Sequence, residues 1–275
     1  MRNRNPCARA DCTPMRRAPR ARAHCLTAAF LCTAGAVAFA CSDSTPSTAP
    51  YKAGTFFGPV TQMAGGSGRA YITLDHAGAP TELGVALAEG ALAGLPNAST
   101  EYVFVLPAQA SATPYTHAVI NWEPSGHMPP AYAVPHFDFH FYTIAPAERE
   151  AIVLTDPQVA AKIARLPAAE FIPAGYILGM ASARMGQHWR DPSGPEFNGQ
   201  PFTSTLIYGS YDGAVSFVEP MIAKSYLETK PTAVVKPIKL PAQYSVRGYQ
   251  ATTYTVGWDA ATKEYRVALF GLVQR

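Results

Sequence analysis

The eight residues of Pro135–Tyr142, PHFDFHFY, restrict what this chain can fold into more than any other stretch. His136, Asp138 and His140 alternate with Phe137, Phe139 and Phe141. Successive strand side chains point to opposite faces, so strict alternation predicts a strand with one face against a core. The phenylalanine face needs nothing beyond that core. The other face is different, because solvent-facing strand positions usually carry Thr, Lys, Glu or Ser. Two imidazoles and a carboxylate on one face point to a site.

Spacing limits the site. At about 3.3 Å per residue, neighbours on one face lie roughly 7 Å apart at Cα, close enough for two side chains to meet at one ion. His136 and His140 lie roughly 13 Å apart on a regular strand, too far to share one. Either His136/Asp138 or Asp138/His140 is therefore expected to bind directly. The third residue would then orient a ligand or face another pocket.

Further ligands must come from elsewhere. His127 precedes the strand in the proline-rich loop NWEPSGHMPP, and is expected as an outer member of the site. His188 lies in MGQHWRDP, read as a loop, and Glu219 ends the run VSFVE. Alternation puts Glu219 on one face with Val215 and Phe217; a carboxylate continuing an apolar face must be paired or bind a metal. A His/carboxylate set without thiolate suits Zn, Mn, Fe or Ni and argues against Cu(I) or an iron–sulfur cluster. The candidate metal ligands are thus His136, Asp138, His140, His188 and Glu219, with His127 outside them. The bland alternative is that these residues hydrogen-bond within the core or at a subunit interface. No Gly-x-Ser-x-Gly elbow supports serine hydrolysis, and Gly65-Gly66-Ser67-Gly68 lacks the ending of a phosphate loop.

The first 41 residues read as an export signal: seven arginines up to Arg22 precede the apolar run Leu26–Ala40, too short for a comfortable membrane span of roughly 20 residues. Ala38-Phe39-Ala40 fits general signal-peptidase cleavage, and the same bond precedes Cys41, where a bacterial lipoprotein carries its lipid. The lipobox fit is imperfect. All five cysteines fall within residues 1–41, and a lone thiol at a new N-terminus suits lipidation better than an oxidising compartment. Membrane association through lipid on Cys41 is the favoured expectation, with free secretion the other route. Of 22 basic and 19 acidic residues, seven and one lie in the signal, leaving 15 and 18 and a formal charge of −3. Nothing in that balance suggests nucleic acid, which calls for a basic face.

Residues 42–54, rich in Ser, Thr and Pro, read as a tether, and 55–275 as one β-rich domain. The expected class is mainly β with a few short helices (α+β), an antiparallel sandwich or barrel-like core. Strands are expected over 69–74, 101–106, 116–122, 134–144 and 176–180, with helices over 82–92, 145–153 and 157–166. A hairpin turns at Asp212-Gly213, and two more strands span 249–258 and 264–273.

Three stretches, GHMPPAYAVPHFDFHFY, MGQHWRDPSGPEF and IYGSYDGAVSFVEPMI, together resemble a family of exported bacterial proteins carrying a domain of unknown function. The resemblance implies an exported bacterial domain and supplies no chemistry. The His/Asp/Glu set is also similar to that of cupins, but His-x-Asp-x-His with a distant Glu219 departs from the cupin His-x-His and nearby Glu, so no residue role transfers. These readings lead to an exported protein with a divalent-metal site and a small-molecule substrate. The alternative is a non-catalytic envelope protein, and a homo-oligomer is compatible with either.

Overall fold

Alternation governs most of the chain. The computed structural model describes residues 52–275; the expected signal, most of the tether and Cys41 lie outside the described residues. Short strands open the described chain: β1 (Gly54–Phe57), β2 (Thr61–Met63), β3 (Gly66–Leu74) and β4 (Pro80–Ala88). Then follow β5 (Thr100–Val105), β6 (His117–Glu123) and β7 (His136–Tyr142). Helices α1 (Pro146–Glu150) and α2 (Pro157–Ile163) lead to β8 (Ile177–Ser182), β9 (Gly186–Arg190), β10 (Ser204–Tyr211) and β11 (Ala214–Ala223). Helix α3 (Lys224–Glu228) precedes β12 (Val234–Pro237), β13 (Tyr249–Gln250), β14 (Thr253–Asp259), β15 (Glu264–Phe270) and β16 (Val273–Gln274).

All strands but β13 and β16, which pair with each other, form two open antiparallel sheets packed as a sandwich. One runs β1-β3-β4-β15-β14-β12, with β2 on β3; the other runs β5-β6-β7-β11-β10-β9-β8. The core lies between them: Ile72, Leu83, Val85, Leu87, Val267 and Leu269 from the first sheet meet Phe104, Ile120, Phe137, Phe139, Phe141 and Ile222 from the second. Burying the three phenylalanines of β7 contributes about 5–8 kcal/mol as an upper bound.

The helix expected over 82–92 is instead strand β4 followed by a single 3-10 turn. Ala, Glu and Leu favour helix, but Leu83, Val85 and Leu87 alternate into the core, and that burial outweighs propensity. The expected loop around His188 is also a strand, β9, paired between β8 and β10. The Asp212-Gly213 turn joins β10 to β11, with both residues at positive φ.

The outer face of the second sheet carries its own covering layer. Tyr132 and Phe202 pack with Ile207 and Met221 at one end. Ile152, Val159 and Tyr211 pack at the other. Arg149 of α1 is fully buried over the Tyr142 ring and ion-paired with Glu101 and Glu150, which fastens that layer to the sheet. His136, Asp138 and His140 lie beneath this cover and are themselves buried.

Candidate metal centre

Two groups of three potential ligands form on this covered face: His127, His136 and Asp138, and His140, His188 and Glu219. Three strands (β7, β9 and β11) and one loop supply them. The β7–β11 register places Glu219 opposite His140. His188 stands two strands away, opposite Gly209 of β10. Gly209 has no side chain to fill the gap, and the Phe217 ring occupies that space, so the His188 ring leans over it toward Glu219.

In the first group the His127 and His136 Nε2 atoms are 3.1 Å apart. His136 Nε2 lies 3.1 Å from Asp138 Oδ1, and His127 Nε2 lies 3.5 Å from Asp138 Oδ2. Metal–ligand bonds of about 2.0 Å in a tetrahedron would separate ligand atoms by roughly 3.3 Å, so the three atoms are already spaced for an ion. Both tautomers are set by backbone: His136 Nδ1–H donates to Val134 O at 2.7 Å, and His127 Nδ1–H to Met128 O at 2.9 Å. Each ring thus turns its Nε2 atom inward, the arrangement common among metal-bound histidines.

The loop that presents His127 depends on Gly126, whose φ is +63°. A Cβ there would lie 2.1 Å from the Tyr132 carbonyl oxygen. No other residue type fits.

The second group is drier. His140 and Glu219 are buried, and the His140 ring packs between Tyr142 and Phe217. His140 Nε2 is 3.4 Å from Glu219 Oε2, and His188 Nε2 is 3.9 Å from the same oxygen. His188 Nδ1–H donates to Met180 O at 2.8 Å, which again turns Nε2 inward. Neither ring nitrogen of His140 makes a well-formed hydrogen bond, and Glu219 Oε2 has none. Each such buried, unpartnered group costs about 1–3 kcal/mol.

Protonation follows from these surroundings. Burial lowers His140 to about 3 and also lowers His188. Burial, then the nearby charge of Asp138, raises the Glu219 carboxyl well above its usual range. The metal-free second group is therefore two neutral imidazoles and a protonated acid. In the first group burial opposes charge on His127, but its hydrogen bond to Asp138 and that carboxylate's charge win, lifting it to about 9. Burial likewise opposes charge on Asp138; hydrogen bonds from His127 and His136 overcome it and hold the carboxyl far below its ordinary value.

Both groups border one cavity of about 620 Å³, lined among others by His127, Asp138, His188 and Glu219. Of the two strand pairs considered, the structure groups His136 with Asp138, and His140 joins a different group. His127, expected as an outer member, belongs to the first group itself. Phe217 shares the face of Glu219 as alternation requires, whereas Val215 packs toward the inter-sheet core. The cause is a bulge: Gly209 pairs with Phe217 and Ser210 with Val215, leaving Ser216 as an extra residue that reverses the alternation. Arg190 and Glu123 also line the cavity and were missed by sequence reading. Arg190 could have been found, since it shares a strand face with His188 two positions earlier.

A family model described as TTHB210-like, hypothetical protein TTHB210, matches residues 75–122 and 210–258. Glu219 lies in the second of these segments and the other five candidate ligands lie outside both. No curated protein and no solved structure matches the chain.

Proposed function

We propose that this is an exported, lipid-anchored metalloprotein in which each His₂-carboxylate group takes one divalent ion and the adjoining cavity takes a small molecule on which the protein acts. The observation that carries this reading is the buried pair His140 and Glu219, whose inward-facing atoms have no hydrogen-bond partner. An ion at that point would satisfy both, and it would convert an unfavourable arrangement into ligation. Two histidines and one carboxylate suit Zn or Fe(II), with Mn and Ni within the same ligand class.

Three protein ligands leave a coordination position open, as in catalytic rather than structural sites. An ion held there would polarise a carbonyl or phosphoryl oxygen or activate water. The chain's own contribution is positional: backbone carbonyls of Val134, Met128 and Met180 fix three imidazoles, and Phe217 and Tyr142 hold His140 rigid.

Metal content of the purified full chain tests the reading. One ion per group is expected, with His140→Ala/His188→Ala losing the ion of the second group and His127→Ala/Asp138→Ala that of the first. The competing reading is a non-catalytic envelope protein with a structural polar cluster. It is favoured by the first group, where a protonated His127 already pairs with Asp138. Absence of metal from every form, together with no uptake of added Zn or Mn, would decide for it. The anchoring rests on the arginine-rich, apolar and Cys41 pattern of the first 41 residues. Cys41→Ser should move the protein from the membrane pellet to the soluble fraction; an unchanged distribution refutes lipidation.

A further inference from the structure

The cavity beside the two groups has a chemical character of its own. Its rim is apolar and unusually exposed: Met128 is 60 % exposed, Met180 65 % and Leu178 46 %. Singly exposed apolar residues need no explanation, but three around one opening do. Methionine side chains are flexible and polarisable, and suit surfaces that adapt to varied apolar ligands. The volume lies within the range of small-molecule sites.

One cationic side chain other than histidine lines this cavity, Arg190 of β9. It is half-buried, with its guanidinium 5.1 Å from the centre of the Phe197 ring. None of the ion pairs among the described residues includes it, and the adjacent Asp191 is taken by Lys239 at 2.6 Å. A half-buried guanidinium with no carboxylate partner, inside a partly apolar cavity, is suited to receiving an anionic oxygen pair from a ligand. Glu123 and Asp138 contribute negative charge to the same walls, as does Glu219 when an ion displaces its proton. With an ion in each group, the two ions and Arg190 outweigh those three carboxylates, so the loaded cavity is net positive.

We infer that the cavity binds a small anionic amphiphile, with a carboxylate or phosphate-type head group against Arg190 and an apolar body along Met128, Leu178 and Met180. The net positive charge rests on the metal reading above; the contacts to Arg190 and the apolar rim do not. That difference makes the two separable by experiment.

The test is calorimetric titration of octanoate, octanol and octyltrimethylammonium into the full-length protein, both zinc-loaded and chelator-stripped. Octanoate is expected to bind about tenfold or more tighter than octanol, corresponding to one charge-assisted contact. Octyltrimethylammonium is expected to bind more weakly than either. Arg190→Gln should bring the octanoate/octanol ratio to near one while octanol binding persists, and Arg190→Lys should restore part of it. Leu178→Ser/Met180→Ser, at exposed positions that leave folding intact, should weaken all three. If the protein holds no zinc but octanoate binding still depends on Arg190, the ligand class stands and the metal reading fails. If zinc binds but the ratio is near one, or is unchanged in Arg190→Gln, the ligand class is overturned. Association only with vesicles of anionic phospholipid, and not with free octanoate, also overturns it.

Discussion

Saturating zinc should raise the unfolding midpoint of the chelator-stripped protein by about 15 °C or more. A ligand at a thousandfold its dissociation constant stabilises by ~4 kcal/mol per site, and each kcal/mol moves the midpoint by about 2–4 °C in a chain of this size. Two sites compound the effect. The gain should also grow with pH, and the sign follows from the site. Without metal, His127 is protonated in the fold up to about 9, so its contribution is fully present below the unfolded value near 6.5 and is lost as pH rises through 9. Glu219, held protonated, acts in the same direction: keeping a buried acid neutral becomes more costly as pH rises. His140 and His117, lowered to about 3 and about 4 by burial, act oppositely, and their contributions are lost as pH falls below 6.5. The stripped protein should therefore be most stable near neutrality. Zinc must displace the protons of His127 and Glu219, so its benefit should be larger at pH 8.5 than at pH 6. Thermal melts followed by circular dichroism, with and without zinc across this range, measure it. A shift below about 2 °C throughout, or one larger at pH 6, contradicts the ligand assignment.

Gly209→Ala should cost about 3 kcal/mol and lower the midpoint by roughly 6–12 °C, because the new methyl would overpack a filled space. A Cβ at this position lies 2.0 Å from the Phe217 ring, which is fully buried and has nowhere to go. The loss should extend beyond stability. Phe217 packs on both His140 and His188, so displacing it separates the second group and its ion should be lost. Gly179→Ala is the control. Its Cβ would stand 3.4 Å from the His188 Cβ, ordinary contact, and its effect should stay within about 1 kcal/mol. Equal melts for the two variants would show that the close approach at Gly209 is not constraining.

Local periodicity made the framework legible. Phe137, Phe139 and Phe141 alternate without interruption, and Asp212-Gly213 marks a tight turn, so β7 and the β10–β11 hairpin could be placed from residues alone. The strand β4 could not, because ALAEGALA carries helical propensity and only the opposing sheet shows why Leu83, Val85 and Leu87 face one way. The site was half legible for a similar reason. His136, Asp138 and His140 declare themselves by spacing, but their division between two groups depends on long-range register. That register pairs β11 with β7 and lets His188 reach across a glycine. The reversal at Ser216 is equally silent in sequence, since an extra residue in a strand has no composition of its own.

The second group, His140, His188 and Glu219, sits on strands β7, β9 and β11, which become neighbours only when that part of the second sheet is complete. No early fragment of the chain offers more than part of the second constellation, whereas His127, His136 and Asp138 come from one loop and the strand that follows it. Cation capture by the second group would thereby be postponed until the sheet is assembled, and its occupant would be drawn from whatever pool surrounds the chain at that moment. Selectivity among ions of similar chemistry would then be decided in part by the place of folding, and the identity of the bound element would record where the protein matured.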